Sequence, residues 1–224
     1  MSLSVLLFGA TGAVGSQLLK HLNANEAIGK IIFVSRRDVA LDEAFINKVK
    51  VQVVDFDNLE ASKEAVAGCD GAFCALGTTR AKSGADGFYK VDHDYVVNAA
   101  KLSKDIGCKS FCLISSQGAD ENSRFLYLKT KGQAEKETIA LNFERCIVAR
   151  PAFLRNRGND FRWGEKIVDV LLTPVRLVMP TKFSVDVSQV AKAAIFKMLS
   201  EESGTQILEN DDLHRLANEY DAKH

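Results

Sequence analysis

Phe8-Gly-Ala-Thr-Gly-Ala-Val-Gly-Ser-Gln-Leu-Leu19 follows the first apolar run, Leu3–Phe8, and opens a stretch of helical spacing from about Ala13 to Asn23. Glycines at 9, 12 and 15 therefore stand between a strand and a helix. Gly9 permits a tight exit from the strand, Gly12 lets backbone approach an anion, and Gly15 lets the helix lie near the sheet. Free N–H groups at a helix start meet a pyrophosphate. The spacing is G-x-x-G-x-x-G rather than G-x-G-x-x-G, but the physical demands are similar. Its place at the first strand-to-helix turn reads as a dinucleotide loop, with a purely structural turn as the alternative.

Outward from this loop, apolar runs of strand length alternate with longer amphipathic stretches. Strands are expected at Lys30–Ser35, Val51–Val54, Gly71–Leu76, Phe111–Ser115 and Cys146–Ala149. Helices are expected at Leu41–Lys48, Leu59–Ala67, Phe88–Ile106 and Ser123–Leu141. Strands apolar throughout belong to a sheet covered on both faces. The alternation calls for an α/β fold, a doubly wound parallel sheet of Rossmann type, in one NAD(P)-binding domain spanning residues 1–224. Beyond Arg150-Pro151 the pattern loosens into helices near Trp163–Leu172 and Asp186–Ser200, a short strand at Gln206–Leu208 and a last helix at Asp211–Tyr220. These form a small C-terminal cap of mixed elements over the open edge, and residues 151–224 shape a substrate cleft.

Composition excludes several classes. Lys plus Arg and Asp plus Glu both number 29 among 224 residues, so no bulk field draws in nucleic acid. The start of the chain lacks a basic signal-peptide region. The most apolar stretch, Ile167–Pro180, is interrupted by Asp169, Pro174 and Arg176, so no integral membrane segment is expected and the stretch reads as core. The five cysteines form no C-x-x-C pair, which argues for reduced core thiols in a cytoplasmic protein and for no metal site.

The second strand ends Val34-Ser35-Arg36-Arg37-Asp38. Two adjacent guanidiniums suit the 2′-phosphate of NADP(H), while Asp38 is the competing ribose ligand that NAD would favour. Asp55-Phe56 follows the third strand, where adenine would lie, and Leu76-Gly77-Thr78-Thr79 follows the fourth, beside the cofactor's middle. Tyr127 and Lys131 stand one helical turn apart and share a face. A nearby cation favours an ionised phenol, and such a tyrosine exchanges a proton while hydride moves. Ser115-Ser116 ends the fifth strand at the same sheet edge, where a serine would hydrogen-bond the substrate oxygen.

GATGAVG at 9–15, VSRR at 34–37, FCALGTTRAKSGADGF at 73–88, VDHDYV at 91–96, SSQGADENSRFLYLKTKG at 115–132 and VARP at 148–151 together resemble the atypical branch of the short-chain dehydrogenase/reductases. The match is closest to the Tat-interacting oxidoreductase family, which includes a reported tumour-suppressor member. The resemblance implies NADP(H) along the strand ends, with Gly9, Thr11, Gly12, Ala13, Val14 and Gly15 at the pyrophosphate and Arg36 and Arg37 at the 2′-phosphate. It implies Leu76 and Gly77 near the adenine-side ribose and the cofactor's centre. Tyr127 and Lys131 would reach the nicotinamide ribose, Leu154 would lie beside the nicotinamide, and Arg162 would approach the cofactor. Ser116 fits the family's substrate-binding serine better than Ser115. Many superfamily members carry an asparagine of a proton relay where this chain reads Val91-Asp92.

The expected activity is an NADP(H)-dependent oxidoreductase acting on a carbonyl or alcohol, with Ser116, Tyr127 and Lys131 as the catalytic set. The alternative is an NADP(H)-binding regulator with little turnover. The resemblance associates the family with transcription and nuclear transport, which adds protein partners and a nuclear pool to the cytoplasmic expectation, and a homodimer is common in the superfamily. Sugar-nucleotide epimerisation ranks third, because the region after the sixth strand leaves little room for a large substrate domain.

Overall fold

The computed structural model describes residues 2–156 and 183–223, without the side chains of Arg80 and Lys82. Its centre is a seven-stranded sheet ordered β3-β2-β1-β4-β5-β6-β9, every pairing parallel. The strands are β1 Leu3–Phe8, β2 Ile28–Ser35, β3 Val49–Val53, β4 Gly71–Cys74, β5 Ser110–Ile114, β6 Arg145–Ala149 and β9 Gly204–Leu208. Two three-residue strands, β7 Phe153–Arg155 and β8 Ser184–Asp186, pair with each other beside it. The helices are α1 Ala13–Ala24, α2 Arg80–Tyr89, α3 Tyr95–Asp105, α4 Leu126–Ala140, α5 Val187–Met198 and α6 Asn210–Lys223.

Alternate residues of β1 feed two cores. Val5 and Leu7 join Leu18, Leu22, Val190 and Ile195 on the α1/α5 face, while Leu6 and Phe8 join Val96, Ala99 and Leu102 on the α3 face. Burial on both sides is why Val5–Phe8 of β1, β4 and Phe111–Ile114 of β5 read as unbroken apolar runs. The chain winds outward in both directions from β1, so the strand order reverses between β1 and β4. That switch point opens a crevice at the carboxyl ends of the strands.

Several elements differ from their sequence expectations. The Leu41–Lys48 helix is a single 3₁₀ turn, Glu43–Phe45, because in this eight-residue segment Leu41 and Phe45 are only partly buried against the core and Ile46 stays 61% exposed, too little burial to sustain a longer helix. Leu59–Ala67 is two 3₁₀ turns held by Leu59 and Val66. The Phe88–Ile106 helix is interrupted by a π turn at Lys90–Asp94, which buries the consecutive residues Asp92 and His93. The fifth helix begins at Leu126 rather than Ser123, since the Ser123 N–H is taken by the Asp120 carbonyl in a preceding turn. α2 was hidden by Gly84, whose φ of +71° breaks its helical backbone. β9 lies within the main sheet beside β6 instead of capping it, and α5 covers the sheet against α1 and α6. The expected helix at Trp163–Leu172 lies outside the described residues.

Gly132 fixes where α4 sits. A Cβ there would lie 2.2 Å from the Glu121 nitrogen and 2.3 Å from the Asp120 carbonyl carbon, backbone that has no rotamer to yield. Gly132→Ala is expected to destabilise by about 3 kcal/mol, the upper end of over-packing costs. Urea unfolding checks it, and an unchanged midpoint would contradict this packing.

Candidate active site

The crevice at the switch point is a cleft of about 670 Å³ whose walls include Gly9, Thr11, Gly12, Arg36, Arg37, Phe56, Leu76 and Gly77. Gly9 has φ +82°, and a Cβ on it would lie 2.6 Å from the Ala75 carbonyl oxygen. Gly12 donates its N–H to the Gly9 carbonyl at 3.0 Å and caps α1 in extended conformation with no side-chain cap. First-turn N–H groups at such a helix start are available to an anion. Gly15 serves packing, since its Cβ would meet the Gly9 carbonyl oxygen at 2.0 Å, and Val14 is buried in the α1 core. Ala13, Val14 and Gly15 thus shape the loop and stand behind the cleft surface, offering backbone at most.

Arg36 and Arg37 are exposed in the wall of the cleft, and neither guanidinium has an ion pair among the described residues. The Arg37 N–H donates to the buried Ser35 Oγ at 3.3 Å, which fixes the turn that presents both. Asp38 Oδ1 accepts from the Val39 N–H at 3.0 Å. Phe56 is buried between Phe8, edge-on at 6.4 Å, and Tyr95, tilted at 5.3 Å, and lines the cleft from there. Asp55 is exposed and lines a shallower hollow beside the cleft with Arg36, its Oδ1 accepting from the Asp57 N–H at 2.9 Å.

Tyr127, Lys131 and Ser116 are not among the described residues that line this cleft. Tyr127 is 46% exposed on the first turn of α4, its ring stacked 5.7 Å from that of Phe88. Lys131, one turn on, is buried, with Nζ 2.9 Å from Asp92 Oδ1. Burial pulls the Lys131 pKa down, but Asp92 and Tyr127 more than offset it, leaving the ammonium above its ordinary value. Asp92 Oδ2 accepts the Thr78 N–H at 2.7 Å. Ser116 is partly exposed and its Oγ makes a long 3.4 Å bond to the Gln117 carbonyl. Ser115 is buried, and its Oγ has no partner among the described residues. Leu154 lies half-buried in β7 against the α1/α5 core. Arg162 lies outside the described residues.

The cleft also takes in Ser83, Val91 and Tyr95, which sequence reasoning did not select. Only the LGTTRAKSG run hinted at Ser83. Tyr95 carried no signal, because at sequence level it reads as one more apolar position of a helix. The Asp92 partnership with Lys131 was equally hidden, since it joins distant segments through a π turn.

The model of the NAD(P)H-binding family matches residues 9–194, which spans the glycine loop, the cleft and α4. The chain belongs to this NAD(P)H-binding family. Protein HTATIP2 of Rattus norvegicus is 38% identical over 219 residues, covering 97% of this chain and 90% of that protein. This agrees with the resemblance to the Tat-interacting oxidoreductases, an atypical short-chain dehydrogenase/reductase group. The mitochondrial protein FMP52 of Meyerozyma guilliermondii is 36% identical over 231 residues, covering 98% and 97% of the two chains. In fold, the UDP-glucose 4-epimerase of Thermotoga maritima solved with UDP-glucose superposes with a TM-score of 0.68 at 17% identity, over 96% of this chain and 82% of the other.

One expectation is overturned by these relatives. A cytoplasmic protein with a nuclear pool does not stand, because the similar fungal proteins are named as mitochondrial. Reduced buried cysteines and a charge-balanced composition are common to many compartments and cannot choose between them. Among the described residues, no helix is long and apolar enough to cross a membrane.

Proposed function

We propose that this protein is an NADP(H)-dependent oxidoreductase of the atypical short-chain dehydrogenase/reductase type, interconverting a carbonyl and an alcohol. The observation that carries the reading is Tyr127 one turn above a buried, ion-paired Lys131, on the helix beside the family's dinucleotide cleft. The Gly9–Gly12 backbone and the uncapped start of α1 fit a pyrophosphate, and Arg36 and Arg37, without an ion pair among the described residues, fit a 2′-phosphate. When bound, the cofactor supplies or accepts the hydride. Tyr127 gives the substrate oxygen its proton in reduction and takes it back in oxidation. The Lys131 charge favours the phenolate left behind, and it lies where ribose hydroxyls would come. Ser116, whose Oγ is only weakly engaged, holds the substrate oxygen.

Phe125 and Leu126, exposed next to Tyr127, support a substrate with an apolar flank. The names of the fungal relatives support a mitochondrial location. Calorimetry with NADPH and NADH, then NADPH oxidation against aldehydes and ketones of graded hydrophobicity, tests the assignment. NADPH is expected to bind at least tenfold more tightly than NADH, and rates to rise with substrate hydrophobicity. Binding without turnover of any carbonyl would overturn the enzymatic reading and leave the cofactor reading standing.

A further inference from the structure

Two hydrogen-bond donors converge on one buried side chain. The Lys131 ammonium reaches Asp92 Oδ1 at 2.9 Å and the Thr78 N–H reaches Oδ2 at 2.7 Å. The side chains of Asp92 and Lys131 are 2% and 7% exposed. A Cβ on Gly77 would lie 3.2 Å from Asp92 Oδ1 and 3.8 Å from Lys131 Nζ, so the turn after β4 rests directly on the ion pair. That turn also lines the dinucleotide cleft through Leu76, Gly77 and Thr78. The π turn at Lys90–Asp94 aims Asp92 inward to meet both donors.

A carboxylate offers two acceptor oxygens, whereas an amide offers one oxygen and an NH₂ donor. Asparagine at position 92 would set N–H against either the Thr78 N–H or the ammonium. The acid is therefore not interchangeable with the amide that many of the superfamily carry. The titratable groups facing Lys131 are Asp92 from the π turn, Tyr127 from α4 and Cys74 from β4. Burial pushes the Cys74 thiol up to about 12, so it supplies no counter-charge at neutral pH.

We propose that Asp92 is a positioning residue that keeps Lys131 charged and fixed beside Tyr127, and that ties the 76–79 turn of the cofactor cleft to the same point. Loss of the carboxylate leaves the ammonium with its burial penalty and no counter-ion, so it gives up its proton at lower pH. With Asp92 present, the raised Lys131 pKa means that the pair's contribution holds at neutral pH and below, and is lost as pH rises through the folded value.

The test is a pH titration of ¹³C-labelled lysine side chains by NMR, with the Lys131 signal assigned from Lys131→Arg. In the parent protein the Lys131 midpoint is expected above 10.5. In Asp92→Asn it is expected to fall by at least about one unit, a tenfold loss of proton affinity. A folded Asp92→Asn with an unchanged midpoint would overturn the proposal. If that variant does not fold, Lys131→Met reads the pair from the other side. Its urea-unfolding midpoint is expected to fall clearly below the parent's, because a buried carboxylate is left without its counter-ion, and a midpoint equal to the parent's would overturn the proposal. The kinetic arm alone rests on the oxidoreductase reading: in Asp92→Asn, hydride transfer at saturating NADPH should decline as pH rises through the lowered Lys131 midpoint, where the parent is flat. Absence of turnover in the parent would count against the enzyme, while the lysine titration would still decide on Asp92.

Discussion

Arg36→Ala combined with Arg37→Ala is expected to weaken NADPH binding by roughly a hundredfold or more and NADH binding by no more than a few fold. Hydrogen bonds to a charged group contribute about 1.5–3 kcal/mol each, and two guanidiniums on one phosphate would supply at least two of them. Both side chains are exposed in the wall of the cleft, with no carboxylate partner among the described residues, so no ion pair among those residues depends on their charge. The double variant should keep the parent's melting temperature, which separates a binding loss from a folding loss. Calorimetry with the two nucleotides reads the difference. Equal weakening of NADPH and NADH would refute a 2′-phosphate site at these arginines.

Tyr127→Phe is expected to lower carbonyl reduction by about 10²–10⁴-fold, the range for loss of a positioned acid–base group, with NADPH affinity within a few fold of the parent. The hydroxyl is absent from the buried ion pair, and the ring's stacking on Phe88 survives the change. Lys131→Met should behave differently, because it removes the partner of a buried carboxylate and so costs stability as well as rate. A Tyr127→Phe enzyme with near-parental turnover would move the proton donor elsewhere, with Ser116 the next group to examine.

The sequence carried the sheet well where local chemistry was strong. Leu3–Phe8 matched β1 residue for residue, because a strand buried on both faces followed by a glycine turn has few other structures open to it. Tyr127 and Lys131 were recognisable as a pair since i and i+4 share a helical face wherever the helix begins. Weak local signals fared worse. The β2–β3 connection contains one 3₁₀ turn and the β3–β4 connection two, because residues 41–48 and 59–67 bury too little apolar surface for longer helices. The π turn was invisible for a different reason. A regular 3.6-residue period assigns positions 88–106 to one helix, and only the inward demand for Asp92 from Thr78 and Lys131, both distant in sequence, explains the extra residue. Gly9 and Gly15 were legible as necessary glycines, but their distinct duties against Ala75 and against the loop itself emerge only from the approach distances.

The most direct measurement of the central claim is transfer of deuterium from NADPH labelled at C4 of the nicotinamide, in its two stereochemical forms, to an apolar aldehyde or ketone. Mass spectrometry of the alcohol should find one deuterium on the carbinol carbon from one labelled form and none from the other, and the amount of labelled alcohol formed in a fixed time should fall by about 10²–10⁴-fold with Tyr127→Phe. Tight NADPH binding with no deuterium delivered to any carbonyl, or equal delivery by the parent and Tyr127→Phe proteins, would contradict the account.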